Sequence, residues 1–392
     1  MKRIGMTLLL IAVAAISTAS AVLAEDTPQI KRPIGYYKVF PLRTANMPAI
    51  RGSVAASTTI PMFSYALTSP IDGHAYQGLI VGRSPFFHGA RTIGIPTVIV
   101  PLIIKMPDGG VFDPTKADPT CSPAGTPLSL TQNSPIFKNH DFVMDGVDVG
   151  TGQYIDEFQR GTFWTDVSVT GNRYHNVLSP VTTATAVTFN VPVSEGKTYP
   201  PSSTLPSCGN EGVVDNQTLD NFLQGTAIPG LAAQGVKPTT FPIFVVYNVV
   251  QGAPGTDIFG ACCILGFHNA IGFPTQTYGI ADYETSGLFS GTSDTTTMAH
   301  EVGEWMDDPL GSNGVPNWGH IGQQTGCQNN LEVGDPLSGS NLPGVLMPNG
   351  FTYALQELAY FSWFYRQSPS LGTDGDFSNN ETFEVDAGPV CF

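Results

Sequence analysis

The chain has 392 residues, of which 41% are hydrophobic and 12% are charged, and 32 acidic against 17 basic side chains give a formal net charge of −15. The hydrophobic content is typical of a globular protein, and the length allows one large or two ordinary domains. Because such an acidic surface repels phosphate backbones, we expect no nucleic-acid partner.

The first 24 residues have the pattern of a secretory signal peptide. Lys2 and Arg3 give a positive start, residues 7–16 form an apolar stretch, and residues 22–24 provide a cleavage site after Ala24. The apolar stretch is shorter than the roughly 20 residues that a membrane span requires. We therefore expect a secreted or periplasmic protein, with no stable membrane insertion after cleavage.

The cysteine count fits this compartment. An even number of cysteines in an exported chain favours disulfides, here up to three, among Cys121, Cys208, Cys262, Cys263, Cys327 and Cys391. We expect the adjacent Cys262 and Cys263 to pair with different partners, and either of them is a candidate partner for Cys327. A cysteine zinc site is the alternative, but the chain lacks the paired C-x-x-C spacing of such sites.

Residues 25–230 are predicted to form a β-rich N-terminal region, beginning with an extended segment over 25–60. Runs of β-branched residues between turn residues predict strands at 78–81, 97–104 and 186–191. Helical spacing of apolar residues predicts a helix at 153–164, and a short helix is expected at 213–224. Clusters of Gly, Pro and Asp predict loops at 108–110, 113–127 and 196–206.

Residues 231–392 contain longer apolar runs and are predicted to form a metal-binding region. Apolar runs at 241–250, 264–268 and 278–283 predict three strands, followed by a helix at 294–308. A second helix is predicted at 353–365, where apolar residues nearly encircle the helical projection. Strands together with helices in this order indicate an α+β fold.

The helix at 294–308 carries a cluster of ionisable residues. With His300 at zero on a helical projection, Glu304 lies at about 40°, Glu301 at about 100° and Asp308 at about 80°. Asp307 falls on the same side, while the apolar residues fall on the opposite side. The segment therefore has one face for the core and one face with an imidazole and several carboxylates.

This geometry has a chemical interpretation. Side chains four residues apart lie one turn apart on the same face, so His300 and Glu304 can chelate one ion. Glu301 lies beside them and can reach a metal-bound water, as in H-E-x-x-H zinc hydrolases, with Glu304 in place of the second histidine. A zinc site needs a third protein ligand, and the residues leave Glu332, Asp335 and His320 as candidates.

A chance match on a surface helix is the alternative, and three features oppose it. Two acidic residues, Asp307 and Asp308, end the helix, where the helix dipole disfavours negative charge. Gly303 lies within the helix and predicts a closely packed neighbour. Five ionisable residues lie within nine positions of a chain that is otherwise poor in charge.

The pattern H-E-x-x-E-x-x-x-D-P from His300 to Pro309, followed by Trp318 and by E-V-x-D from Glu332 to Asp335, resembles a group of secreted bacterial zincin-like metallopeptidases and the gluzincins. The close resemblance covers residues 294–336. It implies a zincin-like mixed sheet with an active-site helix.

The same resemblance implies a role for each matching residue. The metal ligands would be His300, Glu304 and Glu332, and Glu301 would be the general base. Asp335 would orient His300 from outside the ligand set, and Asp308 would brace the site.

We therefore expect a secreted zinc-dependent hydrolase acting on a peptide or protein, with an extended substrate pairing at an edge of the sheet built from residues 241–283. The rival is a non-catalytic binding or structural protein with a structural zinc or calcium ion at the same cluster. His268 either lines the cleft and polarises a carbonyl or, as we favour, is a satisfied or partly exposed strand histidine.

Overall fold

A computed structural model describes the backbone of residues 36–39 and all of residues 58–86, 91–169, 172–252, 262–385 and 391. The predicted signal peptide and most of the predicted extended segment 25–60 lie outside these residues. Among the described residues, no helix is both long and apolar enough to cross a membrane.

The described residues form short helices and many strands. The strands are β1 (Tyr36–Val39), β2 (Met62–Thr68), β3 (Ala75–Val81), β4 (Thr92–Lys105), β5 (Val111–Phe112), β6 (His140–Met144), β7 (Val147–Gly152), β8 (His175–Thr183), β9 (Val187–Asn190), β10 (Gly196–Tyr199), β11 (Glu211–Val214), β12 (Phe241–Tyr247), β13 (Val249–Gln251), β14 (Ile264–Ile271), β15 (Gln276–Tyr283), β16 (Gly314–Gly319), β17 (Cys327–Asn330), β18 (Val345–Leu346) and β19 (Thr352–Tyr353). The helices are α1 (Pro127–Gln132), α2 (Tyr154–Thr162), α3 (Trp164–Val167), α4 (Asn216–Phe222), α5 (Ile228–Gly230), α6 (Thr296–Asp307) and α7 (Phe361–Tyr365). The predicted α+β fold class is therefore confirmed.

One large mixed sheet organises the structure. Its strands follow the order β10-β11-β13-β14-β15-β12-β4-β5, with β1 pairing with β14 and with β8 and β9 pairing with β4. Strand β4 runs parallel to β12, with Val100 opposite Phe244. Both predicted regions of the chain therefore contribute strands to the same sheet.

This topology corrects the expected substrate edge. Strands β12, β13, β14 and β15 each have a neighbour on both sides. The expectation of a free edge within 241–283 is therefore wrong, because strands from the N-terminal half, β4 and β11, flank this set.

Several predicted elements need new boundaries. The predicted loop at 196–206 begins with a strand, β10, because residues 196–199 pair antiparallel with β11. The predicted helix at 213–224 begins only at Asn216, where the Asp215 side chain accepts a hydrogen bond from the Thr218 amide at 2.8 Å.

The second predicted helix, at 353–365, is largely wrong. Only residues 361–365 are helical. The preceding residues run extended through the core, and their amides are bonded to other segments: Ala359 donates to the Val333 carbonyl at 2.9 Å and Tyr360 to the Phe377 carbonyl at 2.8 Å. Apolar side chains all round this segment reflect burial on every side rather than a helix.

Helix α6 lies against strands β14 and β15. Its apolar side chains Met298, Val302 and Trp305 are buried in the main core, and the Trp305 ring stacks on Phe241 with centroids 3.5 Å apart. The neighbour predicted at Gly303 is Leu358, since a β-carbon on this glycine would lie 2.8 Å from Leu358 Cδ1. The packing leaves the ionisable face of α6 turned towards β14 and the loop after β17.

All six cysteines form disulfides, so none is a thiolate ligand for a cysteine zinc site. The pairs are Cys121–Cys208, Cys327–Cys391 and Cys262–Cys263. The expectation that Cys262 and Cys263 have different partners is wrong. The fold brings the other four cysteines together in two pairs, with Cα atoms 5.5 and 5.6 Å apart, so the adjacent cysteines pair with each other.

Candidate metal centre

His300 and Glu304 face each other on the polar side of α6. His300 Nε2 lies 2.9 Å from Glu304 Oε1, and both side chains are at most 1% exposed. Burial by itself would raise the pKa of Glu304, but the facing imidazole of His300 outweighs it and holds that pKa below its usual value. The approach of His300 and Glu304 that the helical spacing predicts is therefore present in the structure.

Gln356 fixes the orientation of the His300 ring. The side-chain amide of Gln356 donates to the Gly334 carbonyl at 2.7 Å, which leaves its Oε1 atom 3.0 Å from His300 Nδ1. Since Oε1 can only accept, Nδ1 carries a proton, so Nε2 is the ring nitrogen that faces Glu304 and that can give up its own proton to a bound metal. That nitrogen is therefore suited to bind a metal.

Asp335 approaches the same nitrogen from the loop after β17. Its Oδ1 atom lies 3.6 Å from His300 Nε2, and it accepts hydrogen bonds from the amides of Gln323, Gln324 and Gln328. Ligand atoms of His300, Glu304 and Asp335 lie within 4.8 Å of one another. Zinc binds nitrogen and oxygen at roughly 2.0–2.2 Å, so atoms this close together could ligate one ion after the side chains adjust.

Glu332 belongs to the same cluster but contacts it through Glu304. Its carboxyl group lies next to that of Glu304. Its Oε1 accepts from the Asn330 side chain at 2.7 Å, and its Oε2 has no hydrogen-bond partner among the described residues. Burial, and then the charge of Glu304, raise the pKa of Glu332 well above its ordinary value. The resemblance assigns Glu332 as ligand and Asp335 as the partner of His300, whereas the structure has Gln356 at Nδ1 and Asp335 on the Nε2 side.

His268 on β14 also enters the cluster. Its Nε2 lies 3.0 Å from the Asp308 carbonyl, which can only accept, so the ring is protonated there. Burial lowers the pKa of His268 to about 4, so Nδ1 of the neutral ring presents a lone pair, 3.6 Å from Glu301 Oε2 and 3.9 Å from Glu304 Oε2.

The favoured interpretation of His268 as a satisfied or partly exposed strand residue is therefore wrong. The side chain is fully buried, because α6 covers this part of β14, and its Nδ1 has no hydrogen-bond partner among the described residues. His268, Glu301 and Glu304 form a second set of potential ligand atoms within 4.8 Å.

Glu301 sits beside both sets. Its carboxylate is fully buried, and within the described part of the chain neither of its oxygens has a hydrogen-bond partner. Burial, followed by the charges of Glu304 and Asp335, raises the pKa of Glu301 well above its usual range. The β14 backbone closes over this side chain at Gly266, where a β-carbon would lie 2.7 Å from Glu301 Cγ.

Asp308 and His320 lie at the margin of the buried cluster. The Asp308 carboxylate accepts from the amides of Ser312 at 2.9 Å and Asn313 at 2.9 Å, which braces the turn after α6. His320 is exposed, next to the disulfide-bonded Cys327 and Cys391, so it does not join the buried cluster.

The arrangement concentrates negative charge in the interior. Four carboxyl groups (Glu301, Glu304, Glu332 and Asp335) and two imidazoles are each at most 5% exposed. Buried ionised carboxylates cost several kcal/mol each, roughly, unless a cation or protons compensate them. Orphaned oxygens on Glu301 and Glu332, together with the imidazole nitrogens, fit a divalent metal that accepts mixed nitrogen and oxygen donors.

No protein-family model matches the chain, and neither the curated proteins nor the solved structures contain a match to it.

Proposed function

We propose that this chain is an exported, zinc-dependent hydrolase of peptide bonds with a zincin-like active-site helix. The donor set supports the choice of metal, because imidazole and carboxylate together suit zinc. Three disulfides support an exported location. The resemblance of His300–Pro309 and Glu332–Asp335 to zincin-like metallopeptidases supports the reaction class.

The main support for a catalytic role is the carboxylate of Glu301. It lies within reach of the ligand side chains, yet neither of its oxygens is committed to a hydrogen bond within the described residues. A carboxylate without protein donors can accept a proton from a water molecule beside it.

In this proposal, His300, Glu304 and Asp335 would hold the ion, with Glu332, which lies next to Glu304, as the alternative third ligand. The ion, when bound, supplies a polarising charge for a carbonyl and makes water more acidic. Gln356 holds the proton at His300 Nδ1. Glu301 takes a proton from the attacking water and returns it to the departing amine.

A second function is favoured by one observation. Every residue of the cluster is at most 5% exposed, so a substrate reaches it only if a covering segment moves. A structural ion needs no such access. The rival is therefore a non-catalytic exported protein stabilised by an ion at the same residues.

Elemental analysis of the purified protein, combined with a peptide-library assay with and without chelator, tests these alternatives. We expect about one zinc per chain, and cleavage that chelation abolishes and added zinc restores. Zinc without cleavage would favour the structural ion. A folded protein with neither zinc nor calcium would overturn both.

A further inference from the structure

A second group of buried carboxyl groups lies on the other face of the large sheet. Ala281 and Tyr283 on β15 belong to the core that contains α6. Side chains alternate along a strand, so Asp282 between them points to the opposite face. There it meets Glu284, which directly follows β15, and Glu211, which begins β11; one oxygen of each lies within 4.8 Å of the others.

All three residues are at most 1% exposed. Asp282 Oδ1 accepts from the Val249 amide at 3.1 Å, and Glu284 Oε1 accepts from the Ser286 hydroxyl at 2.5 Å and from the Gly287 amide at 3.2 Å. These donors leave one oxygen of Asp282 and one of Glu284 without a partner among the described residues.

Glu211 gives an independent indication of a ligand. It arrives from a different strand, it is fully buried, and neither of its oxygens has a hydrogen-bond partner in the described ranges. The Ser286 hydroxyl lies close to Glu211 but gives its proton to Glu284. A buried carboxylate aimed at two other acids is destabilising unless something between them compensates the charge.

The surrounding protein provides no such compensation in its described part. None of the ion pairs formed between described residues includes Glu211, Asp282 or Glu284. Burial, and then the mutual repulsion of the carboxylates, raise the pKa of Glu211 and Asp282 well above their ordinary values. The cluster must therefore take up either protons or a cation.

We infer that Glu211, Asp282 and Glu284 form a second cation site, selective for calcium, which is separate from the zinc centre and goes beyond the proposed function. The donor set consists of oxygen only, which suits a hard cation and not zinc. Calcium accepts irregular arrangements of carboxylates, whereas magnesium retains several waters, for which so buried a site leaves little space. A bound ion would tie the start of β11 to the end of β15.

Equilibrium dialysis with radiolabelled calcium tests the inference, using the zinc-loaded full chain. We expect about one calcium per chain for the wild type and a loss of affinity of about tenfold or more for Glu211→Gln and for Asp282→Asn, since charge count sets calcium affinity. Asp220→Asn is the matched control, because Asp220 is a buried acid bonded to Tyr278 and Gln224. This control should bind calcium like the wild type.

Thermal unfolding keeps the test decisive if one variant is poorly folded. Calcium should raise the melting temperature of the wild type and not that of Glu211→Gln, whereas in calcium-free buffer this variant should melt no lower than the wild type because it removes a buried charge. A wild type that retains no calcium, that retains magnesium in its place, or that responds to calcium equally with and without Glu211 would overturn the inference. Zinc content should stay unchanged throughout, so failure here is distinct from failure of the zinc proposal.

Discussion

His300 Nε2 and Glu304 Oε1 lie 2.9 Å apart across one turn of α6. The helix alone dictates this contact, because side chains four residues apart share a face. The groups that complete the cluster come from three other segments: His268 from β14, Asp335 from the loop after β17, and Gln356 from the extended segment before α7. A local motif thus becomes a site only through long-range packing, and each contribution can be tested separately.

The first prediction concerns Glu301. Replacement by glutamine keeps the shape of the side chain but removes the base, so Glu301→Gln should lower peptide turnover by about 10²–10⁴-fold. Zinc content should stay at the wild-type value, because Glu301 is not among the ligands in the proposal. Steady-state assays and elemental analysis on the same preparation measure both quantities.

Glu384→Gln, at an exposed position, is the control for loss of a carboxylate. Loss of zinc in Glu301→Gln would contradict the assignment as base and would point to ligation through the set of His268, Glu301 and Glu304.

The second prediction concerns Gln356. Gln356→Leu removes the acceptor that holds the proton on His300 Nδ1, so the ring can rotate or change tautomer. We expect zinc affinity, measured by competition with a chromophoric chelator, to fall by about 10–100-fold. Gln356→Glu retains an acceptor for Nδ1 and should recover part of the affinity.

Gln276→Leu is a matched control, since Gln276 is also a buried glutamine bonded to backbone carbonyls, those of Thr240 and Thr277. Equal losses of zinc affinity in the two leucine variants would show that Gln356 acts only through general stability.

The helix could be predicted from the sequence because its signals are local. Residues 294–308 were expected, and residues 296–307 form it. The position of His300, Glu301 and Glu304 on one face then follows from helical geometry. The bend of the chain after Asp308 also follows from Pro309.

The rest of the site depends on contacts that no local pattern encodes. Gln356 lies 56 residues after His300, and the periodicity of its surroundings predicted a helix where the chain runs extended through the core. The burial of His268 depends on how α6 packs on β14. Spacing alone could not decide between Glu332 and Asp335, because the loop after β17 sets which carboxylate faces Nε2.

A third prediction uses the close approach of the chain at Gly334. Its φ of −85° is accessible to any residue, so alanine adds no backbone strain. A β-carbon there would, however, lie 2.3 Å from His300 Nδ1. Gly334→Ala should therefore displace the imidazole and weaken zinc binding by at least about tenfold, an effect of the size seen when a ligand loses its orientation.

Gly326→Ala is the matched control on the same stretch of chain, since a β-carbon at Gly326 meets nothing within 4 Å. Zinc affinity and melting temperature should be measured for both variants. Wild-type zinc affinity in Gly334→Ala would mean that His300 is not a ligand in the orientation seen here.

The fourth prediction concerns the dependence of stability on pH. Burial raises the pKa of Asp307 from 3.8 to about 8. The folded protein therefore keeps a proton that the unfolded chain releases above about pH 4, so this group makes the free energy of unfolding fall as the pH rises, by up to about 1.4 kcal/mol per unit, until about pH 8. Asp307→Asn removes this term. Between about pH 5 and about pH 8, the free energy of unfolding of Asp307→Asn should therefore rise relative to that of the wild type, as measured by chemical denaturation.

Asp148→Asn, at an exposed position, is the control. Its free energy of unfolding should differ from that of the wild type by the same amount at every pH. Parallel stability curves for the wild type and Asp307→Asn would mean that Asp307 ionises in the folded state as readily as in the unfolded chain, which its complete burial makes unfavourable.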